Sequence, residues 1–402
     1  MAEPIAGPSG TVGQAPAGRL TPARQVFAAF FLYAFALGGI FPRLGDLQRA
    51  LAIDERTLGL ALIGTASGTM VSLTFASRWL SRLGHRRVLL LFTPLVAAFS
   101  ALAAWAPNAA LLYVLLVPVG VSVGAVEIVV NLEADRVEHQ SGQRIMSRAH
   151  AFWSLGFFGA GLIGAGLAQA GLSPQVHLAA MVLVTAVTTT WLLGRYQPAP
   201  HRPDSHDGQT PHVAWPTRST VMLMLATLAA MLMEGAGAEW SAIYMRDVFG
   251  AAPFLAGAAV ATGARAQALA RLLADRFVQR FAPVRVARSL LSVLGLGVLM
   301  VLAAPHPAVA MLGFALMGVG TSALFPLAMS AAAQATDRPA AVNVAALAQT
   351  AFIAFLLGPP LLGFVATRYG IRWSFGVGLP VVAIGIWAAK ALAVRPGGQP
   401  PR

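Results

Sequence analysis

Ser77-Arg78-Trp79-Leu80-Ser81-Arg82-Leu83-Gly84-His85-Arg86-Arg87 is a short basic stretch held between two long apolar runs, and it reads as a hairpin between two membrane helices. A degraded copy follows as Arg271-Leu272-Leu273-Ala274-Asp275-Arg276-Phe277. With Ser81 set against Asp275 the copies lie 194 positions apart, close to half of the 402 residues. A second pair of landmarks, Gly171-Leu172-Ser173 and Gly370-Ile371-Arg372, repeats at an offset of 199. Two unrelated landmarks recurring near half-length predict two similar halves.

Composition sets the class. The chain is 57% hydrophobic and 11% charged, too apolar for a soluble surface and indicative of a multi-span membrane protein. Its net charge of +13 comes from Arg residues confined to short connections between apolar runs, which is a topology signal and not a nucleic-acid face. Cysteine is absent, which excludes disulfides, thiolate metal sites and Cys nucleophiles. No G-x-x-x-x-G-K-[ST] loop occurs, so ATP is not expected as the direct energy source; no metal-ligand or nucleophile spacing stands out, and the chain does not read as an enzyme.

A bilayer core of about 30 Å needs roughly 20 apolar residues, and twelve segments meet that need: 24–42, 57–77, 87–105, 109–134, 147–170, 175–194, 219–246, 252–273, 284–304, 308–333, 343–367 and 372–394. The expected organisation is a disordered tail over 1–22, a six-helix half over 23–194, a polar linker over 195–217, a second six-helix half over 218–394 and a tail over 395–402. Of the 28 Lys and Arg residues, 21 fall on the side of the termini, 6 on the opposite side and Arg265 inside a span. That asymmetry predicts cytoplasmic termini and two parallel halves.

Both basic copies resemble the loop between the second and third helices of the major facilitator superfamily, roughly G-x-x-x-D-R-x-G-R-R. The first has Ser77 and Ser81 where Gly and Asp are usual; the second keeps Asp275 but lacks the Gly. Phe30-Phe31-Leu32, Phe41-Pro42-Arg43-Leu44, Met146-Ser147-Arg148-Ala149-His150-Ala151, Glu234-Gly235-Ala236-Gly237-Ala238-Glu239-Trp240-Ser241 and Leu357-Gly358-Pro359-Pro360-Leu361 resemble a branch of bacterial inner-membrane permeases distantly similar to fucose-type sugar/proton symporters. The resemblance implies an all-α membrane fold of twelve transmembrane helices in two pseudo-symmetric halves. It further implies a monomer in the bacterial inner membrane that moves a small solute by alternating access, with a proton gradient in place of a cofactor. The lipid bilayer and the solute are the implied partners, and nucleic acid is not.

Ionisable groups inside a span are costly, so each needs a reason. On the fourth helix Glu127, Asn131, Asp135 and Glu138 fall within about 80 degrees of one face, with Glu133 opposite. Glu127 is the deepest, and the resemblance supports it, because fucose-type symporters use an acid on helix four. It either titrates or binds solute, or ties helices together. These symporters use a second acid on helix one, where this chain has none before Asp46.

Asp135 and Glu138 are expected to pair with Arg82, Arg86 or Arg148 in a gate, alongside Arg78, Asp275 and Arg276. On the seventh helix Glu234 is either cavity or packing, and Gly235 and Gly237 are sites where the span can unwind. Glu239 is expected nearer the outer face, in a belt or outer gate. Arg265 is expected to face the cavity and neutralise Glu127 or Glu234, or to receive an anionic group. His150 reads as a gating hydrogen-bonder or a proton relay. Tyr33, Trp153, Asn343 and Gln349 are candidates for bonding or stacking a polar ligand, with Asn131.

Import or exchange of a polar metabolite leads over export, because drug/proton antiporters of the superfamily typically show an Arg on helix four and a G-P pair on helix five, both absent here. Export and a non-transporting receptor remain the alternatives.

Overall fold

The computed structural model describes residues 20–200 and 215–393. Most of the expected tails and the polar run His201–Gly208 lie outside the described residues, as do the side chains of Arg78 and Asp275. Among the described residues, eleven helices are long and apolar enough to cross a membrane: α1 (Pro22–Ala50), α2 (Glu55–Phe75), α3 (Arg82–Ala103), α4 (Ala109–Ser141), α5 (Met146–Gln169), α6 (Pro174–Leu193), α7 (Arg218–Phe249), α9 (Pro283–Ala303), α10 (Pro307–Gln334), α11 (Val342–Tyr369) and α12 (Ile371–Leu392). The twelfth, α8 (Pro253–Arg280), is 28 residues long and packs within the bundle against α5, α7 and α10. It falls short on composition, because Arg265, Gln267, Arg271, Arg276 and Arg280 interrupt its apolar residues.

Local chemistry starts these helices where the sequence changes from polar to apolar. Thr21, Asp54, Asn108 and Ser173 each accept a backbone N–H of the first turn of α1, α2, α4 and α6, satisfying donors that a helix start leaves free. Pro253, Pro283 and Pro307 open α8, α9 and α10 at the position where a missing N–H costs nothing. The expected hairpin at Ser77–Arg87 is far tighter than a loop. Helical backbone runs through Glu55–Ala103 and breaks only at Gly84, at φ 71° and ψ 158°, a region in effect reserved for glycine.

The halves meet along α2 with α11 and α5 with α8. On the side away from the termini, polar bonds cross between them. Arg246 of α7 donates to the Gly45 carbonyl (2.8 Å) and to Gln48 (2.9 Å) of α1. The Arg56 N–H reaches Thr367 (3.0 Å), and the Phe254 N–H reaches Gln169 (3.1 Å). Toward the termini, α4 packs on α1 to α3 and α5, and the Leu324–Gln334 part of α10 packs on α7, α9, α11 and α12, each within its own half. The chain is thus fastened between halves on the far side.

Bonds on the terminus side brace each half. Glu133 is a buried hub: Tyr196 donates to it (2.7 Å), as does the Ala199 N–H (3.0 Å), with His85 and Arg136 beside it. Asp337 accepts from Ser219 (2.8 Å) and Asn343 (2.7 Å), joining the start of α7 to the start of α11. Its burial raises the carboxyl, but hydrogen bonds from Thr217, Ser219 and Asn343 outweigh this and hold it below the usual aspartate value. A depressed folded-state value stabilises the fold above the unfolded pKa of about 3.9 and is lost as pH falls through the folded value. Asp337→Asn is therefore expected to unfold at lower temperature than wild type at pH 7, with the gap closing as pH drops below about 4. Thermal unfolding of both proteins across that range checks it.

Candidate functional site

Six helices, three from each half, bring polar groups to one layer within the bundle. Glu127 sits mid-way along α4, and Asn131 one turn on donates to its carbonyl (2.8 Å) and carboxylate (3.0 Å). Tyr33 of α1, 2% exposed, lies beside the same carboxylate. From the other half, α8 contributes Arg271 and α7 contributes Glu234, paired at 3.5 Å with side chains 11% and 27% exposed. Arg271 also donates to Ser154 (2.6 Å) and His150 carbonyl oxygen (3.5 Å) of α5 and to the Ser322 carbonyl (3.0 Å) of α10. Ser154 in turn donates to Gln267 (3.0 Å), which donates to Thr321 (3.1 Å).

Arg271 is the joint of this layer. Its guanidinium lies within electrostatic reach of both Glu127 and Glu234, and the two carboxylates repel across it. One cation shared by two acids on opposite halves makes the contact between halves depend on which acid is charged. A solute bearing polar or charged groups can compete for the same donors and acceptors.

The opening beside this layer is marked by α7. Between Ser219 and Arg246 no residue of α7 is exposed, yet Glu234, Gly235, Gly237, Ala238 and Glu239 form a half-buried run. A Cβ added at Gly237 meets nothing within 4 Å, and one at Gly235 meets only Phe355, at 4.0 Å. The run therefore faces space inside the bundle. Trp153, stacked on Phe157 at 5.4 Å and tilted against Tyr33 at 6.5 Å, adds an aromatic wall.

Several expectations change here. Arg265 does not join the layer: it is exposed, on the face of α8 that carries the exposed Leu269 and Leu272. Residues six apart lie about 240 degrees apart on a helix, so Arg271 takes the interior position that Arg265 was expected to hold. The span around Gly235 and Gly237 does not unwind, because α7 is continuous from Arg218 to Phe249. Glu239 lies nearer the far-side end of α7, as expected, ten residues or about 15 Å from it. Asn343 is a fully buried brace on Asp337, not a ligand for solute. Glu138 pairs with no Arg among the described bonds but caps α5, accepting from Ile145 N (2.5 Å) and Met146 N (2.7 Å).

The pairing of Arg82 or Arg86 with Asp135 or Glu138 is not among the described bonds. Arg86 is exposed and donates to the Gly194 carbonyl, and Arg82 and Arg276 are exposed at the terminus side. Asp135 borders a surface cleft with Glu138, His139 and Arg144. The His150 ring packs edge-on against Phe30 at 5.0 Å. Gln349 is half-buried on α11.

The sequence profile of the Major Facilitator Superfamily matches residues 26–237 and 222–402. The chain belongs to this superfamily. An uncharacterised transporter, y4wD, of Sinorhizobium fredii (strain NBRC 101917 / NGR234) is 30% identical over 380 residues, 94% of this chain and 98% of that protein. Among solved structures, a D-xylose-proton symporter superposes at TM-score 0.69 with 13% identity, covering 92% of this chain and 96% of that one. An E. coli fucose:proton symporter superposes at 0.64 with 17% identity, covering 92% and 98%. As a superfamily member the chain is a multi-span membrane transporter, and at these identities the solved structures support the fold alone. Arg271 and the Ser154–Gln267–Thr321 chain were missed in the sequence. The signal was the spacing of Ala264, Gln267, Ala268 and Arg271, which puts both polar groups on the apolar, inward face of α8.

Proposed function

We propose that this transporter couples movement of a small polar solute to protons, with Glu127 as the proton carrier and Arg271 as the switch. The observation that carries the reading is Arg271 set between Glu127 of one half and Glu234 of the other. With Glu127 ionised, Arg271 is drawn toward both acids and the halves are held. A proton on Glu127 removes one attraction, leaves Arg271 to Glu234 or to the solute, and lowers the barrier to rocking. Proton symporters among the solved structures with this fold support the coupling ion. The fastening at Arg246, Arg56 and Phe254 supports alternating access, since it is the kind of contact that must break for the far side to open. The same reading places both termini in the cytoplasm and the monomer in a bacterial inner membrane.

Proteoliposomes containing a pH-sensitive dye, challenged with sugars, organic acids and cationic drugs, test it. A transported solute is expected to move protons with wild type, and Glu127→Gln to bind that solute while losing the proton signal by at least about 10²-fold, the scale of a lost proton-transfer group. Undiminished coupling in Glu127→Gln removes Glu127 from the role.

A further inference from the structure

Glu239 stands apart from the layer just described. Five residues beyond Glu234, it points about 140 degrees away around α7. Its Oε2 is buried with no hydrogen-bond partner among the described residues. The one polar group that approaches it is the indole of the adjacent Trp240, whose own Nε1 is buried without a bond.

The charged groups of the neighbouring helices are engaged elsewhere. Arg271 of α8 is bound to Glu234, Ser154 and the Ser322 carbonyl, and Arg265 is exposed. Arg43, in the continuation of α1, pairs with Asp46 and the Leu172 carbonyl. Arg372 of α12 lies over Tyr244 and Phe249 at the far end. Arg368, the one charged residue of α11, lies over Tyr369. The charged residues of α9 are Arg285 and Arg288, in its first two turns at the terminus side, and α10 contains none.

A lone carboxylate inside a span, with an oxygen sealed from water and no cation beside it, is strongly disfavoured as an anion. It also borders the half-buried Gly237–Ala238 stretch that faces the internal opening, so water reaches its neighbourhood. We propose that Glu239 is a second proton-binding site, separate from the Glu127–Arg271–Glu234 layer. The proton comes from water in the opening and adds to a carboxylate oxygen, giving a neutral acid that needs no partner cation. Its place in coupling rests on the proton-coupled reading above and would raise the number of protons moved; its binding of a proton does not depend on that reading.

Infrared spectroscopy of the full chain in lipid nanodiscs tests this without a known solute. At pH 7 wild type is expected to show a protonated-carboxyl C=O stretch that Glu239→Gln loses, by the area of one carboxyl group. Glu239→Asp is expected to shift that band and not abolish it, which separates loss of the group from failure to fold. In Arg271→Gln the Glu239 component is expected to keep its titration midpoint. An unchanged band in Glu239→Gln, or a Glu239 midpoint that moves with Arg271→Gln, overturns the proposal. A failure of Glu127→Gln to uncouple transport would leave this result standing.

Discussion

Arg271→Gln is expected to lower the unfolding temperature and abolish solute-driven proton movement, while Arg271→Gln with Glu234→Gln recovers much of the stability and none of the transport. Removing one partner of a buried ion pair leaves the other charge uncompensated, at a cost of about 3–5 kcal/mol when both are fully buried. Glu234 is 27% exposed, so the loss here falls at or below the lower end of that range, about 3 kcal/mol. Neutralising Glu234 as well removes the orphaned charge, and the two changes then differ from additivity by about 1–3 kcal/mol. Thermal unfolding of both single variants and the double variant gives the coupling energy. Strict additivity would mean that Arg271 acts through Ser154 and the Ser322 carbonyl alone.

Gly59→Ala or Gly363→Ala is expected to open the far side. A Cβ at Gly59 would sit 2.4 Å from the Pro359 carbonyl oxygen, and one at Gly363 would sit 2.4 Å from the Glu55 carbonyl oxygen. Both obstacles are backbone, so no side chain can swing away, and α2 and α11 must separate. Because these helices belong to different halves, the strain falls on the far-side closure in place of either half's core. The chain has no native cysteine, so Gly237→Cys provides a single labelling site beside the internal opening. Labelling from the far side is expected to rise about tenfold, equivalent to a population shift of about 1.4 kcal/mol. Gly166→Ala, where an added Cβ meets nothing within 4 Å, is the control and should leave labelling unchanged. Equal labelling in all three would show that the α2–α11 contact does not hold the far side shut.

Much of the fold was legible because the bilayer imposes it. Long apolar runs between Arg-rich turns have one solution in lipid, a helix whose backbone bonds are internal, and the half-length repeat gave the two halves. The site was legible only where depth alone decided it. Glu127 is far from either end of its own helix, so it could be singled out with no knowledge of its neighbours. Arg271 was obscure because its near neighbours Arg276 and Arg280 make it look like part of a surface turn. Only the rotation of α8 separates it from Arg265, and rotation is set by packing against α5 and α10. Glu133 was obscure for a related reason: its partners Tyr196 and the Ala199 N–H lie more than sixty residues away, in a segment whose sequence reads as linker.

That hub bears on how the two halves are tethered. Glu133 fastens the chain at Ala199 to the first half, and Arg338 holds the Trp215 carbonyl at 2.8 Å against the second. Fifteen residues, 200–214, separate these two anchors, which allows a span of at most about 50 Å. With each anchor on its own half, the contacts that join the two halves are those inside the bundle, where α2 meets α11 and α5 meets α8.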